Sequence, residues 1–197
     1  MNDFQFLFAR GLKGEALIRE WLKAQGYLVL PTSLIANGGA PALEGHLMSV
    51  IAANNLVAKD GKVEWVEVKT YQRATKNQRR GRWEHGVPVR LWNEYRKGEL
   101  LTGIPGCLVI LQVDAGRILK GRLADIEVGA YTQAEHEKTP RSGRQIFFDV
   151  RRFDWFSIDS LSPLNDMMPD DLAPQMVRPW EHEGKQSTPA SKQGMLL

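Results

Sequence analysis

The chain has 197 residues, 43% hydrophobic and 25% charged, which suits one globular domain with a real core and excludes a wholly disordered chain. Its formal net charge is only +3, so the total alone does not imply nucleic acid, and the placement of the basic residues has to decide. The single cysteine, Cys107 in GCLVILQV, excludes an intrachain disulfide framework and reads as a small core residue. The start, MNDFQFLFARG, lacks the basic and long apolar regions of a signal peptide, and no apolar run approaches the roughly 20 residues of a membrane span. A soluble, cytoplasmic protein without a membrane partner is the expectation.

GLKGEALIREWLKAQGY predicts a helix, with Leu12, Ala16, Leu17, Trp21 and Leu22 at helical spacing and Gly26 as its stop. YLVLP follows as a short buried strand, and the Gly/Pro-rich IANGGAPALEG as loop. MSVIAANNLVA and VEWVEVKTY read as two strands joined at Asp60-Gly61, a strong hairpin signal. QRATKNQRRGRWEHG has high charge and no period, and reads as a loop with freedom to move. VPVRLWNEYRKGELLTG predicts a second helix; GCLVILQVD and GRILKGRL predict a strand pair about Ala115-Gly116, and QIFFDVRRFDWFSI one further extended segment. The order implies an α/β or α+β domain with a mixed central sheet flanked by helices, spanning residues 1–162. From Pro163 the composition turns to Pro, Asp, Ser and Gln, so 163–197 reads as a C-terminal tail, partly disordered.

A two-residue turn at Asp60-Gly61 pairs Lys59 with Lys62 and, counting outwards, Asn54 with Glu67 and Ala52 with Lys69. Alternation then puts Asn54, Glu67 and Lys69 on one face, with paired Cβ atoms about 5 Å apart. Two side-chain oxygen donors and a backbone carbonyl can hold Mg²⁺, which activates a bound water, while a neighbouring lysine orients that water or offsets developing charge. The bland alternative is a surface acid–lysine pair worth under about 1 kcal/mol.

EWVEVK after a strand and turn, preceded by GAPALEG and the helix GLKGEALIREWLKAQGY, resembles the PD-(D/E)XK nuclease superfamily, whose fold is restriction-endonuclease-like. The stretch GRWEHGVPVRLWNEYRKGELLTGIPGCLVILQVDAGRI is also similar to the segment after the ExK strand in some small phage and bacterial members, so the likeness runs from about Leu12 to Leu123. It implies a Mg²⁺- or Mn²⁺-dependent endonuclease hydrolysing DNA phosphodiesters, with Glu67 and Lys69 as the motif's acid and lysine and the Val68 carbonyl as a metal ligand. Glu15 matches the helix glutamate many members use; its plainer reading is an exposed partner for Arg19. Glu44, before the hairpin, is either a further carboxylate ligand or a solvated loop acid. The departure is at Ala53-Asn54, where the family carries a metal-binding Asp and this chain reads ANN. Asn54 keeps a carbonyl oxygen but loses the charge. Three explanations stand: an inactivating Asp-to-Asn substitution, a site whose acid has moved to Glu44, or a catalytically silent nucleic-acid-binding module.

Between Lys69 and Lys97 lie nine basic residues (Lys69, Arg73, Lys76, Arg79, Arg80, Arg82, Arg90, Arg96, Lys97) against two acids, Glu84 and Glu94. Basic side chains at that place suit a DNA backbone, with affinity that falls with salt. Arg73, Lys76, Arg79, Arg80, Arg82 and Gln72 are the candidate contacts. Tyr71, Trp83 and His85 are available to stack on bases or to fold onto the core. His85 otherwise reads as a turn histidine, and His136 and His182 have no partners at zinc-ligand spacing. A homodimer would suit double-strand cutting, although no dimer motif is visible. SKQGMLL, through Gln193, Met195, Leu196 and Leu197, faintly resembles a sliding-clamp-binding peptide.

Overall fold

The computed structural model describes residues 3–32, 42–45, 49–133 and 143–158. The tail from 163, its clamp-like peptide, His136 and His182 therefore lie outside the described residues, as does most of the Gly/Pro-rich segment before Ala42.

The first helix, α1, runs Asp3–Ala24, longer than its apolar stripe announces. Leu17, Ile18, Trp21 and Leu22 are buried on one side of it, whereas Leu12 is exposed. Gly26, at φ +84°, stops the helix: its N–H reaches the Lys23 carbonyl and that of Tyr27 reaches Leu22, a pairing only a left-handed residue permits cheaply. β1 (Leu28–Pro31) follows, then a short hairpin of β2 (Ala42–Glu44) and β3 (Ser49–Ile51), then β4 (Asn55–Lys59) and β5 (Lys62–Tyr71). β6 (Thr75–Asn77) and β7 (Arg82–Pro88) precede α2 (Val89–Thr102), β8 (Gly106–Gln112), β9 (Arg117–Arg122) and α3 (Leu123–Glu127). β10 (Tyr131–Gln133), β11 (Gln145–Asp149), a 3₁₀ turn (Val150–Arg152) and β12 (Asp154–Ser157) complete the described chain.

The architecture is a mixed α+β one. A six-stranded sheet has the order β1-β4-β5-β8-β9-β12, antiparallel except for the parallel pair β5–β8, and a four-stranded antiparallel sheet has the order β10-β11-β7-β6. β8 is buried at all seven positions, as its unbroken apolar run requires when both faces are covered. Cys107, Val109 and Leu111 turn to α1 with Val57, Val66 and Val68. Leu108 and Ile110 turn the other way, to Trp92 and Tyr95 of α2 and to Val87, Ile146 and Phe148 of the second sheet. α1 seats closely on β5: a Cβ added at Gly14 would lie 1.9 Å from Thr70 Oγ1.

Several expectations are corrected. β1 is an edge strand rather than a buried one, with Leu28 77% and Leu30 50% exposed. MSVIAANNLVA is two strands, β3 pairing with β2 and β4 with β5, broken at Ala52–Asn54. The Glu44 region is strand, not loop. QRATKNQRRGRWEHG is no mobile loop but the β6–β7 hairpin, whose turn closes at Gly81 (φ +60°) with the Arg80 N–H on Asn77 Oδ1. QIFFDVRRFDWFSI is two strands on two different sheets, separated by the 3₁₀ turn.

Candidate functional site

The Asp60-Gly61 turn has both residues at positive φ, +51° and +71°, as a two-residue hairpin with right-handed twist needs. Lys59 faces Lys62, and the ladder runs to Asn55 opposite Val66. Asn54 is therefore level with Glu67, but here the regular ladder ends and side chains take over its bonds. Asn54 Oδ1 accepts from the Val68 N–H at 2.8 Å, and the Asn54 N–H donates to Glu67 Oε2 at 3.3 Å. The chain upstream is drawn off towards α2, where Glu94 Oε2 accepts from the Ile51 N–H at 3.1 Å.

Glu67 is only 5% exposed. Its Oε1 accepts from Lys69 Nζ and from the Tyr95 hydroxyl, both at 2.6 Å. Lys69 also lies 5.7 Å from the centroid of the Tyr95 ring. Burial, the charge of Glu67 and the hydrogen bond to it all push the Tyr95 hydroxyl well above its ordinary pKa, so it stays protonated as a donor. Next along the same face, Tyr71 is pushed up to about 12 by burial and by Glu67, and its hydroxyl donates to the Gly86 carbonyl. Its ring stacks on His85, centroids 4.9 Å apart, and His85 Nε2 lies 3.3 Å from Gln112 Oε1. Burial lowers His85 to about 4 against the opposing effect of Gln112, so the ring is neutral at pH 7. It is a core histidine between the sheets, not a turn residue.

The structure thus brings Asn54, Glu67, Val68 and Lys69 together and leaves two expected carboxylates elsewhere. Glu15 is on α1, which covers the face of β5 carrying Val66, Val68 and Thr70, opposite to Glu67 and Lys69; its carboxylate lies 3.9 Å from Arg19. Glu44 is exposed on β2 opposite Ser49, at the end of that hairpin away from Ile51. Tyr95 and Glu94 are partners that sequence reasoning missed. Tyr95 lies three residues after Trp92 in a helical stripe, a signal indistinguishable from ordinary core.

The basic candidates divide. Arg73 and Arg79 are exposed, and Gln72 accepts from Arg10 Nη1 at 3.4 Å. At the β6–β7 turn the Arg80 guanidinium lies 3.7 Å from the Tyr131 ring centroid, and Lys76 Nζ 5.8 Å from that of Trp83. Arg82 is not available at the surface: it bonds Glu84 and the Gly129 carbonyl, approaches Asp149 at 3.9 Å, and is 14% exposed. Buried Glu84 also accepts from Asn77 Nδ2 at 3.0 Å and the Tyr131 hydroxyl at 2.7 Å, so a closed polar network holds the hairpin.

The donor set does not suit a divalent cation as it stands. Of Asn54, Glu67, Val68 and Lys69, Glu67 is the one that brings a carboxylate, and Lys69 pairs with it. Asn54 Oδ1 is engaged by Val68. Among the described residues no group of three or more His, Cys, Asp or Glu side chains is placed to hold a metal.

No family model matches the chain, and no curated protein matches it. Among solved structures it is similar to Archaeoglobus fulgidus Hjc, a Holliday junction resolvase from an archaeal hyperthermophile, with TM-score 0.47 and 10% identity over 77% of this chain and 99% of that one. It is also similar to a nuclease from a fusselovirus, with TM-score 0.41 and 9% identity over 82% of this chain and 90% of that one. The likeness is one of shape. Among the described residues, no helix is long and apolar enough to cross a membrane.

Proposed function

We propose that the protein is a DNA-directed, endonuclease-like protein of the PD-(D/E)XK kind, with Glu67 and Lys69 as its acid and lysine and Asn54 in the place of the second acid. The observation that carries this reading is the Glu67–Lys69 pair, 2.6 Å apart on one face of β5, beside the break between β3 and β4 where Asn54 sits. The exposed Arg73, Arg79 and Arg80 after that strand support a DNA backbone as the partner, since cations there supply affinity without reading sequence.

Mg²⁺ or Mn²⁺ is the cofactor such a site takes, and the residues present fall short of it. An aspartate at position 54 would make two carboxylates beside the Val68 carbonyl, the one or two acids Mg²⁺ asks for. An asparagine does not, and the site is left one acid short. Its own residues hold Lys69 in place through Glu67 and keep Tyr95 protonated beneath both. A second reading, a nucleic-acid-binding module without catalysis, is favoured by the engagement of Asn54 Oδ1 and of both Glu67 oxygens.

The test is cleavage of plasmid and branched DNA with Mg²⁺ or Mn²⁺ by this chain and by Asn54→Asp, alongside salt-dependent binding. The Asp form is expected to cleave on the order of a hundredfold faster, given what even indirect metal partners are worth, with both forms binding DNA. Equal cleavage would remove Asn54 from the ligand position. Binding without cleavage by either form would leave the binding-module reading. Cleavage by the Asp form that survives Glu67→Ala would overturn the site.

A further inference from the structure

On the α1 side of the large sheet, remote in orientation from Glu67 and Lys69, a cleft of about 320 Å³ opens between the C-terminal end of α1 and the hairpin end of β4 and β5. That is within the lower range of pockets that hold small ligands. Its lining includes Trp21, Tyr27, Lys59, Glu64, Lys120 and Arg122. Tyr27 lies between two ammonium groups, with Lys59 Nζ 5.3 Å and Lys120 Nζ 4.6 Å from its ring centroid. Lys120 is already satisfied, donating to the Tyr27 hydroxyl at 2.8 Å and to Glu64 at 3.2 Å.

Three other donors are not balanced. Lys59 Nζ donates to the Gln25 carbonyl at 2.7 Å and has no carboxylate partner among the described residues. Arg122 is exposed and makes no ion pair among the described residues. The Trp21 indole N–H, on a residue 1% exposed, has no hydrogen-bond partner there either, and a buried unpaired donor is unfavourable. Against these, the cleft offers one acid without an ion pair among the described residues, Asp154, at its exposed rim. The Cys107 thiol is held protonated, pushed up to about 12 chiefly by burial, so the cleft supplies no nucleophile.

The geometry points to a second, non-catalytic binding site here, for a phosphate-class anion received by Lys59 and Arg122, with the buried Trp21 indole as the neighbour that reports on it. Charged donors favour such an oxyanion because their hydrogen bonds to it are about twice as strong as neutral ones. The phosphate belongs either to a free mononucleotide or to a DNA backbone. This inference does not rest on the endonuclease reading, and neither falls with the other.

The experiment is a nitrogen-15 NMR titration of the full chain with inorganic phosphate, with AMP and with a short duplex. The readout is the indole N–H signal that Trp21→Phe removes. A saturable shift is expected, with affinity lowered about tenfold or more by Lys59→Gln with Arg122→Gln and retained by Lys59→Arg, while circular dichroism verifies that each variant is folded. Saturation by AMP assigns a free ester, and response to the duplex alone assigns a backbone phosphate. No shift at millimolar probe, an equal shift with chloride at matched ionic strength, or full affinity in the double Gln variant would overturn it.

Discussion

Tyr95→Phe tests how the Glu67 carboxylate is kept in a site with 5% exposure. The substitution keeps the ring against Trp92's helix face and removes one donor from Glu67 Oε1, leaving Lys69 Nζ at 2.6 Å on the same oxygen and the Asn54 N–H at 3.3 Å on the other. Because the acceptor is a buried carboxylate, the lost bond is worth about 2 kcal/mol, near the middle of the range for charged partners. It is not more, because two donors still satisfy the group. In urea that is a midpoint lowered by about 1 M for a slope near 2 kcal/mol per molar. The same change in a Glu67→Gln background meets a neutral acceptor and should cost about 1 kcal/mol, leaving a coupling near 1 kcal/mol in a double-mutant cycle. A cost under about 0.5 kcal/mol, or an equal cost in both backgrounds, refutes the assignment of Tyr95 as a charge-assisted donor.

Gly14→Ala should destabilise, since its Cβ would meet Thr70 Oγ1 at 1.9 Å and overpacking of about 1–3 kcal/mol outweighs a helix-propensity gain near 1, whereas Gly11→Ala, with nothing within 4 Å, should stabilise; thermal melts of the two separate packing from propensity. His85 binds its proton less readily folded (about 4) than unfolded (ordinary value 6.5), so stability is full above pH 6.5 and falls by about 3 kcal/mol as pH drops to 4, a loss that His85→Gln should abolish in denaturation at stepped pH. Asn55 is fully buried with neither side-chain atom partnered among the described residues, so Asn55→Leu, branched alike at Cγ and apolar, should raise the urea midpoint by the equivalent of about 1–3 kcal/mol; an unchanged or lower midpoint would show that the amide is satisfied in solution.

Much of this molecule is legible in its residues. The Asp60-Gly61 pair sets a register that carries Asn54 to the level of Glu67, and the acid and lysine of β5 share a face because strand side chains alternate. Helices ending at Gly26 and Gly103, and the doubly buried run of β8, come from local chemistry in the same way. Other features have no local signal. The β6–β7 hairpin reads as charged loop because the residues it buries, Glu84 and His85, are polar, and Asn77, Tyr131 and Gln112, brought from other strands, together with Arg82 on the same strand, make that burial tolerable. Glu15 and Glu67 look like partners along the chain, and the sheet between them keeps them on opposite faces. Tyr95 reaches Glu67 across 28 residues for the same reason: the sequence by itself determines strands, turns and their register through nearest-neighbour sterics and alternation, while the choice of which polar groups meet belongs to packing between layers, which no short stretch of residues encodes.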